Sequence, residues 1–258
     1  MEDIRYVETT TKTVNPRHTL DIYEPHDSQK SNTNNASAYS KNITLIFFYG
    51  GAWDSGKKEL YRFVGRAFSL EGYRVVIPDY RLYPEVQFPN FVEDSALAVK
   101  KIASLYPDQE FILIGHSAGA HIASLLATDS KYLTAAQVSP SKIKAWIGWS
   151  GPYDFLPLTS GRVKRVFSST NNLSLTQPIH FVTPSTPPAL LTHGEEDTRV
   201  LIKNSQNMAK KLRSLNVDVI EKYYKEDSHS NTLVSASTLF RDVSSSFNDT
   251  IHFLNSLP

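Results

Sequence analysis

A serine between two glycines, at the junction of an apolar run and a helical pattern, most strongly limits the folds open to this chain. The pentapeptide is Gly115-His116-Ser117-Ala118-Gly119. Residues 111–114 before it are apolar, which predicts a buried strand, and residues 120–127 after it predict a helix. A tight strand-to-helix turn of this kind holds its central serine in a strained backbone conformation. The glycines are needed because strand and helix approach each other closely at such a turn.

Apolar runs and helical patterns alternate along the rest of the chain. Strands are predicted at residues 43–49, 73–77, 111–114, 144–149, 189–193 and 217–224, with an antiparallel edge pair at 4–13 and 20–23. Helices are predicted at 59–70, 91–105, 120–127 and 200–215, and within 233–257. This alternation predicts an α/β fold with a mostly parallel central sheet of about eight strands and helices on both faces.

The organisation of the chain is expected to be simple. We predict a single domain over residues 1–258, in which the irregular segment 153–188, rich in proline, serine, threonine and asparagine, is a lid or insertion. Residues 28–42 are almost free of apolar side chains and predict a solvated loop. In the helix at 59–70, the side chains of Leu60, Phe63, Val64 and Ala67 are expected to face the core.

Composition and charge exclude several classes of function. The formal net charge of +1 gives no indication of a nucleic-acid or membrane partner. The absence of cysteine excludes disulfides, a thiol nucleophile and a zinc site with cysteine ligands. We find no zinc-protease or phosphate-loop motif and expect no metal and no cofactor. No signal peptide or membrane-spanning run is expected, so the predicted location is cytoplasmic.

A serine needs a base, and the base a carboxylate, to act as a nucleophile near neutral pH. In a fold with this type of turn, the acid and then the histidine follow the serine along the chain. His229 lies in the polar segment 226–230, between the last predicted strand and the last predicted helix, and is therefore the predicted base. Of the other histidines after the serine, His193 is expected to shape the acid's loop, His180 lies in the lid, and His252 is expected to be structural.

The acid is expected in the loop after the penultimate predicted strand, where Glu195, Glu196 and Asp197 compete. We favour Asp197, because the residues after it allow its side chain to turn back beneath the end of the sheet. The two glutamates are expected to form a solvated acidic tip, and Asp197 alternatively caps the helix that follows. Asp154 and Asp227 stay open as other candidates.

Small residues follow another predicted strand, at Gly50-Gly51-Ala52-Trp53. Backbone amides are the strongest donors to a tetrahedral oxyanion, because they are fixed before the reaction begins. The amides of this loop and of Ala118, directly after the serine, are candidates for that role. A flexible turn is the alternative interpretation of the glycine pair.

These segments, together with Asp79-Tyr80-Arg81, His193-Gly194-Glu195-Glu196-Asp197 and Ser228-His229, resemble the α/β-hydrolase superfamily. The resemblance is to its carboxylesterase branch, the hormone-sensitive-lipase-like and arylformamidase-like enzymes. It implies a catalytic triad of Ser117, Asp197 and His229, and an oxyanion hole of the Gly51, Ala52 and Ala118 amides.

One position departs from the family pattern. The oxyanion motif of the family usually begins with histidine, and this chain has Tyr49 there. Because backbone amides stabilise the oxyanion, we expect this change to affect loop packing more than catalysis, with the phenol replacing imidazole as a buried hydrogen-bonding group.

The resemblance implies a serine esterase that hydrolyses small or short-chain, uncharged carboxylic esters through an acyl-enzyme, with the ester as its small-molecule partner. An arylformamidase-like amide hydrolase, an isoprenylcysteine-methylesterase-like enzyme and a non-catalytic binding protein stay open as alternatives. The predicted substrate pocket contains Trp53, Trp149 and Tyr153, chosen from a group of aromatic residues beyond strand ends that also includes Tyr80, Tyr83 and Phe155. Packing beneath the lid is the alternative role for this group, and the oligomeric state is left open.

Overall fold

A computed structural model describes residues 1–7, 15–26 and 42–258 of this chain. Its strands are β1 (Ile4–Arg5), β2 (Thr19–Tyr23), β3 (Ile43–Phe48), β4 (Arg74–Pro78), β5 (Glu110–His116), β6 (Ile143–Trp149), β7 (Ala189–Gly194) and β8 (Val219–Tyr224). Within the described residues they form one eight-stranded sheet, in the order β1-β2-β4-β3-β5-β6-β7-β8. Neighbours from β4 to β8 are parallel, and β1 and β2 are antiparallel to their neighbours at one edge. The predicted fold class is confirmed.

The two central strands explain why the sequence pattern was clear. Every residue of β3 is buried, as is every residue of β5 after Glu110. Parallel strands are covered on both faces, so their sequences are continuously apolar instead of alternating. The buried apolar side chains form one cluster that extends from Tyr6 near the amino terminus to Leu257 near the carboxyl terminus.

The helices are α1 (Arg62–Leu70), α2 (Asn90–Leu105), α3 (Ala118–Thr128), α4 (Lys131–Ala135), α5 (Gly161–Val166), α6 (Lys203–Ser214), α7 (Asn231–Val234) and α8 (Ser246–Ser256). Helix α3 packs against β5 and β6, α1 packs against β4, and α6 packs against β7 and β8. None of the helices in the described ranges combines the length and the apolar character that a membrane crossing requires.

The predicted helix at 59–70 is wrong in its first turn. Residues Lys58–Tyr61 form a 3-10 helix before α1, and Leu60 is 60% exposed instead of facing the core. Lys58 is the inward-facing residue here, because its backbone amide donates to Asp79 at 2.8 Å and its Nζ lies 2.8 Å from an Asp21 oxygen. These polar contacts set the rotation of the segment, which periodicity alone does not reveal.

Other boundaries also differ from the predictions. The helix predicted from residue 200 begins at Lys203, and the segment 233–257 contains part of α7, a 3-10 helix at Thr238–Val243 and α8. The first strand ends at Arg5, and the rest of its predicted range lies partly outside the described residues. The loop predicted at 28–42 lies outside them too, apart from residue 42.

The segment 153–188 contains α5 and two 3-10 helices, Leu173–Thr176 and Pro178–Phe181. Backbone hydrogen bonds join it to the rest of the fold; for example, the Phe88 amide donates to the Val166 carbonyl at 3.1 Å. That it acts as a lid, and that the chain is one domain, stay predictions.

Candidate active site

Ser117 occupies the turn between β5 and α3, with φ 55° and ψ −122°. A Cβ atom at Gly115 would lie 2.2 Å from the Gly119 carbonyl oxygen, and one at Gly119 would lie 2.0 Å from the Phe48 carbonyl oxygen. Both distances are far below van der Waals contact, so only glycine fits at either position. The two glycines therefore permit the close approach of strand and helix that holds the serine in its strained conformation.

Three side chains from distant parts of the chain form a hydrogen-bonded series at this turn. The Ser117 hydroxyl lies 2.9 Å from His229 Nε2, and His229 Nδ1 lies 2.7 Å from Asp197 Oδ2. Because an ionised carboxylate only accepts, Nδ1 donates to Asp197 and Nε2 is left to accept from the serine. The structure thus brings together the three residues that the sequence analysis predicted as a triad.

Asp197 is held in place by more than His229. Its Oδ1 accepts hydrogen bonds from the backbone amides of Arg199 and Val200, both at 2.9 Å, and its Oδ2 lies 3.1 Å from His193 Nε2. Burial of Asp197 raises the pKa of its carboxyl, but the nearby His193 and the hydrogen bonds from His229 and the Val200 amide outweigh burial and hold that pKa well below the ordinary range. The carboxylate is therefore ionised at neutral pH.

The other acid candidates lie elsewhere. Glu195 and Glu196 are exposed, and Asp154 accepts a hydrogen bond from the Asn207 side chain at 2.7 Å. Asp227 is buried, and a Cβ atom at Gly194 would lie 2.1 Å from its carbonyl oxygen. The carboxylate that meets the imidazole of His229 is Asp197.

His116, directly before the serine, is a site residue that the sequence analysis did not single out. Its Nε2 lies 2.9 Å from the backbone carbonyl oxygen of His229, and the two imidazole centroids are 4.8 Å apart. Burial lowers the pKa of His116 to about 3, so the ring is neutral and donates through Nε2 to the carbonyl. The available signal was its position inside the pentapeptide, at the end of a buried strand.

The predicted oxyanion residues line the same cavity as Ser117 and His229. Gly51 and Ala52 have φ values of 130° and 50°, and the Gly51 carbonyl accepts hydrogen bonds from the amides of Asp54 and Ser55 at 3.1 and 3.0 Å. A tight turn with this backbone fixes the direction of its amides. Ala118 is the first residue of α3, where backbone N–H groups have no partner within the helix.

The cavity has a volume of about 840 Å³. Its walls come from the loop at 50–55, the serine turn, the segment 152–163, the residues 199–204 and the residues 229–233. Trp53 and Phe155 line it, together with aliphatic side chains of the segment 153–188, such as Leu156 and Leu158, that the sequence analysis did not assign to it.

Two of the three predicted pocket residues lie elsewhere. Trp149 is fully buried beneath the sheet edge, where its indole Nε1 donates to Thr250 at 3.0 Å and its ring stacks on Phe68. Tyr153 is also fully buried, with its ring against Trp146 at a centroid distance of 5.6 Å. Trp149 is the last residue of β6 and Tyr153 follows that strand, but the side chains of both turn into the core.

The sequence model of the BD-FAE family matches residues 20–212, which is most of this chain. The chain belongs to the BD-FAE family. Together with the esterases among its relatives, this match puts it in the carboxylesterase branch of the α/β hydrolases.

Two relatives of this BD-FAE chain illustrate the range of chemistry around it. It is 28% identical over 246 residues to the probable isoprenylcysteine alpha-carbonyl methylesterase ICME of Oryza sativa subsp. japonica, a match covering 85% of this chain and 56% of the relative. It is 29% identical over 237 residues to the kynurenine formamidase of Danio rerio, covering 91% of this chain and 70% of the relative. The chain spans about half the length of several curated relatives that it matches.

A solved structure of a truncated carbohydrate esterase from gut microbiota superposes on this BD-FAE chain with a TM-score of 0.79. The superposition covers 100% of this chain and 95% of that chain at 18% sequence identity. At this identity the likeness establishes the fold alone.

Tyr49 stands in this BD-FAE chain where the oxyanion motif of many α/β-hydrolase esterases begins with histidine. Its hydroxyl donates to Asp79 Oδ1 at 2.7 Å, and its ring stacks between those of Tyr61 and Tyr80 at 5.2 and 4.6 Å. Burial raises the pKa of Tyr49 well above the ordinary range, so the phenol remains a donor. The Tyr80 hydroxyl donates in turn to the Tyr49 carbonyl at 2.6 Å, so the start of the oxyanion loop is fixed from two sides.

Proposed function

We propose that this BD-FAE chain is a serine carboxylic ester hydrolase that acts on small or short-chain esters through an acyl-enzyme. The observation that carries the proposal is the hydrogen-bonded series from Ser117 through His229 to Asp197, with distances of 2.9 and 2.7 Å. A serine, a base and an orienting carboxylate in this geometry form the nucleophilic machinery of acyl transfer.

In the proposed first step, Ser117 attacks the ester carbonyl while His229 Nε2 takes the hydroxyl proton. The imidazolium that forms is stabilised by ionised Asp197, which also keeps Nδ1 protonated and Nε2 free to accept. The backbone amides of Gly51, Ala52 and Ala118 are the proposed donors to the oxyanion. His229 then gives its proton to the leaving alcohol, and an acyl-serine remains.

In the second step, His229 takes a proton from water, which attacks the acyl-serine. The bond between the acyl carbon and the Ser117 oxygen then breaks, the serine takes the proton back from His229, and the carboxylic acid is released. The same donors hold the second tetrahedral oxyanion. Since the donors are fixed backbone groups, they need no rearrangement when charge develops.

Replacement of Ser117 by alanine tests the proposal. With 4-nitrophenyl acetate and butyrate as substrates, S117A is expected to lower kcat/KM by about 10³-fold or more, because the nucleophile is gone. A fluorophosphonate probe is expected to label the parent and not S117A, with the site of labelling read by mass spectrometry. An S117A variant with activity near that of the parent, or a parent that the probe does not label, contradicts the proposal and favours the binding-protein alternative.

An arylformamidase-like amide hydrolase is the second candidate, and the match to the Danio rerio kynurenine formamidase over 91% of this chain favours it. The same serine chemistry cleaves a formamide, provided that the imidazolium protonates the departing amine. The ratio of kcat/KM for N-formylkynurenine to that for 4-nitrophenyl butyrate separates the two. A ratio well above one favours the formamidase, and a ratio well below one favours the esterase.

The relationship to the Oryza sativa methylesterase supports a third possibility, a methyl ester of an isoprenylcysteine compound. This substrate is also a carboxylic ester, so it falls within the proposed reaction and differs only in the alcohol and acyl groups. Methanol release from an S-prenylated cysteine methyl ester measures it directly. The cytoplasmic location expected from the sequence stays a prediction.

A further inference from the structure

The cavity beside Ser117 has an unbalanced set of charged side chains. Three cationic residues line it, Arg162, Arg199 and Lys203, and no aspartate or glutamate does so in the part of the chain that the structure describes. The three come from two separate segments, the lid helix α5 and the stretch between Asp197 and the start of α6. The cavity wall therefore carries excess positive charge in a protein whose net charge is only +1.

One of the three cationic side chains already forms an ion pair with a carboxylate. Arg162 forms an ion pair with Asp54 of the oxyanion loop, on which both guanidinium nitrogens Nε and Nη2 converge. Arg199 and Lys203 differ, because neither forms an ion pair with any described residue. Two cations of the cavity wall thus have no anionic partner within the described chain.

The backbone that carries these two cations is fixed. The Arg199 amide donates to Asp197 Oδ1 at 2.9 Å, so Arg199 is tied to the proposed catalytic acid. Next to Lys203, the buried Asn204 accepts hydrogen bonds through Oδ1 from the Tyr153 and Asp154 amides at 3.1 and 2.9 Å. The side chains are long and exposed, but their points of attachment are held beside the site.

The size of the cavity leaves space for a second group on the substrate. Cavities of about 300–1,000 Å³ hold ligands of drug size, and a volume of about 840 Å³ is near the upper end of that range. A guanidinium and an ammonium from the same lining segment, 199–204, favour a carboxylate, which accepts charge-assisted hydrogen bonds from groups of both kinds. A neutral short-chain ester uses neither the space nor the charge.

We propose that this site selects esters that carry a second, anionic group, a carboxylate bound by Arg199 and Lys203 while the ester carbonyl lies at Ser117. The inference rests on the proposed esterase function and replaces the uncharged ester expected from the sequence. The carboxylate belongs either to the acyl chain or to the alcohol, and two pairs of substrates distinguish these sources.

The first pair is 4-nitrophenyl hydrogen adipate and 4-nitrophenyl hexanoate, which differ by a carboxylate at the end of the acyl chain. The second pair is 4-acetoxybenzoate and 4-acetoxybenzamide, which differ by a carboxylate on the alcohol side. In at least one pair we expect kcat/KM to be about tenfold higher for the anionic ester than for the neutral one, which is the effect of one charge-assisted hydrogen bond. The preferred pair identifies the side that carries the anion. We expect this preference to decrease between about 0.05 and 0.5 M NaCl, because salt screens exposed charges.

The double variant R199Q/K203Q is expected to lower the anionic-to-neutral ratio of kcat/KM about tenfold. The matched control is K210Q, since Lys210 is an exposed lysine of the same helix that does not line the cavity, and K210Q is expected to keep the parent ratio. A parent with no anionic preference in either pair overturns the inference, as does a double variant that retains the preference.

Failure of this inference is distinguishable from failure of the proposed function. If Ser117 is labelled by the fluorophosphonate and the neutral esters are hydrolysed without anionic preference, only the substrate class is wrong. If neither labelling nor hydrolysis of any of the four esters occurs, the esterase proposal itself is wrong.

Discussion

At the scale of single residues, Asp197 receives donors on both of its oxygens. Oδ1 accepts from two backbone amides, and Oδ2 lies 2.7 Å from His229 Nδ1 and 3.1 Å from His193 Nε2. The two backbone amides that donate to Oδ1 fix the orientation of the carboxylate. Its other oxygen, Oδ2, therefore faces His229 and accepts from Nδ1. His193 in turn is held by Ser205 at 2.8 Å, which extends the polar network into α6.

Replacing Asp197 by asparagine is expected to lower kcat about 10⁴-fold, because an amide N–H facing Nδ1 forces His229 into the tautomer whose Nε2 cannot accept from Ser117. The measurement is kcat for 4-nitrophenyl butyrate, with folding verified by circular dichroism. The exposed Glu196 provides a control, since E196Q should behave as the parent. Near-parental activity of D197N is incompatible with the orienting role.

The depressed pKa of Asp197 also has a consequence for the pH profile of the parent. Its carboxyl loses its proton below the ordinary aspartate range, so Asp197 is ionised throughout the range from about pH 5 to 9. A decrease in kcat/KM on the acid side of that range therefore belongs to another group. The profile of the parent between pH 5 and 9 is the reference for the variants below.

His116 is expected to act as a positioning residue, through its hydrogen bond to the His229 carbonyl at 2.9 Å. Leucine at this position removes the donor, and we expect H116L to lower kcat about tenfold with little change in KM, the size of one buried hydrogen bond. Glutamine keeps a donor, so H116Q should recover most of kcat. Because the pKa of His116 is about 3, neither variant should alter the number of steps in the pH profile. Equal kcat for H116L and H116Q contradicts the positioning role.

The sequence indicated Ser117, Asp197 and His229, because chain order and loop position are local properties of each residue. It did not indicate His116 as a site residue, since its contact to His229 joins positions 113 residues apart along the chain. For Trp149 and Tyr153, position along the chain did not give the direction of the side chain. Packing in the core decides that direction, with Thr250 and Phe68 against Trp149 and Trp146 against Tyr153.

At the scale of elements, the junction of β5 and α3 depends on a contact with the neighbouring strand β3. The Phe48 carbonyl oxygen of β3 lies 2.0 Å from the place where a Cβ atom of residue 119 would be. The obstacle is backbone in the centre of the sheet, which has no rotamer that relieves it.

Replacing Gly119 by alanine should therefore cost about 3 kcal/mol of unfolding free energy, the upper range for overpacking, and should lower activity by moving the serine turn. Urea unfolding of S117A and G119A/S117A measures the loss of unfolding free energy that Gly119→Ala causes, in proteins that both lack the nucleophile. Gly161 offers the matched control, because its Cβ would have Arg165 Nη1 at 3.9 Å as its nearest neighbour. G161A should be neutral or slightly stabilising. Equal stability of G119A/S117A and S117A disproves the steric account.

Element boundaries were less predictable than element types. The strands and long helices were identified from hydrophobic patterns, which depend on burial and periodicity. The exposed Leu60 was missed because the orientation of its turn is set by the Lys58 contacts with Asp79 and Asp21, and such polar contacts leave no periodic signal.

At the scale of the whole molecule, the parallel sheet collects residues that are far apart in sequence. The carboxyl ends of β3, β5 and β7 lie at one edge, so the proposed oxyanion loop, the serine turn and the loop that carries Asp197 meet there. This convergence follows from the fold class, which explains why fold and candidate triad could be predicted together. A lid or insertion over the site was predicted at 153–188, but the side chains with which residues 152–163 line the cavity could not be, because they depend on tertiary contacts of a segment without periodicity.

Opposite charges also join distant parts of the molecule. Asp94 of α2 is 1% exposed and accepts from Arg81 Nε at 2.8 Å, Nη2 at 2.7 Å and the Arg81 amide at 3.0 Å. His18, before β2, lies 3.3 Å from the same carboxylate. Burial raises the pKa of Asp94, but the nearby His18 and the hydrogen bonds from Arg81 outweigh burial and lower it below the ordinary value.

A carboxyl whose pKa is lower in the folded than in the unfolded state stabilises the fold above the unfolded pKa, and this contribution is lost as pH falls through the folded pKa. At pH 7 we expect D94N to lower the free energy of unfolding by about 3 kcal/mol, near the lower end for breaking a buried ion pair because Arg81 is 27% exposed. As the pH falls below about 4, the unfolded chain takes up a proton at Asp94 before the folded protein does, so the gap between parent and variant should narrow.

Urea unfolding of parent and D94N at pH 7, 5 and 3.5 measures this gap. D108N is the matched control, since Asp108 lies exposed in the turn before β5 and should change stability by less than about 0.5 kcal/mol at each pH. A gap that stays constant from pH 7 to 3.5 attributes the loss to packing instead of charge. A gap that narrows as Asp94 takes up its proton identifies the ion pair as the link between α2, the loop after β4 and the residues before β2.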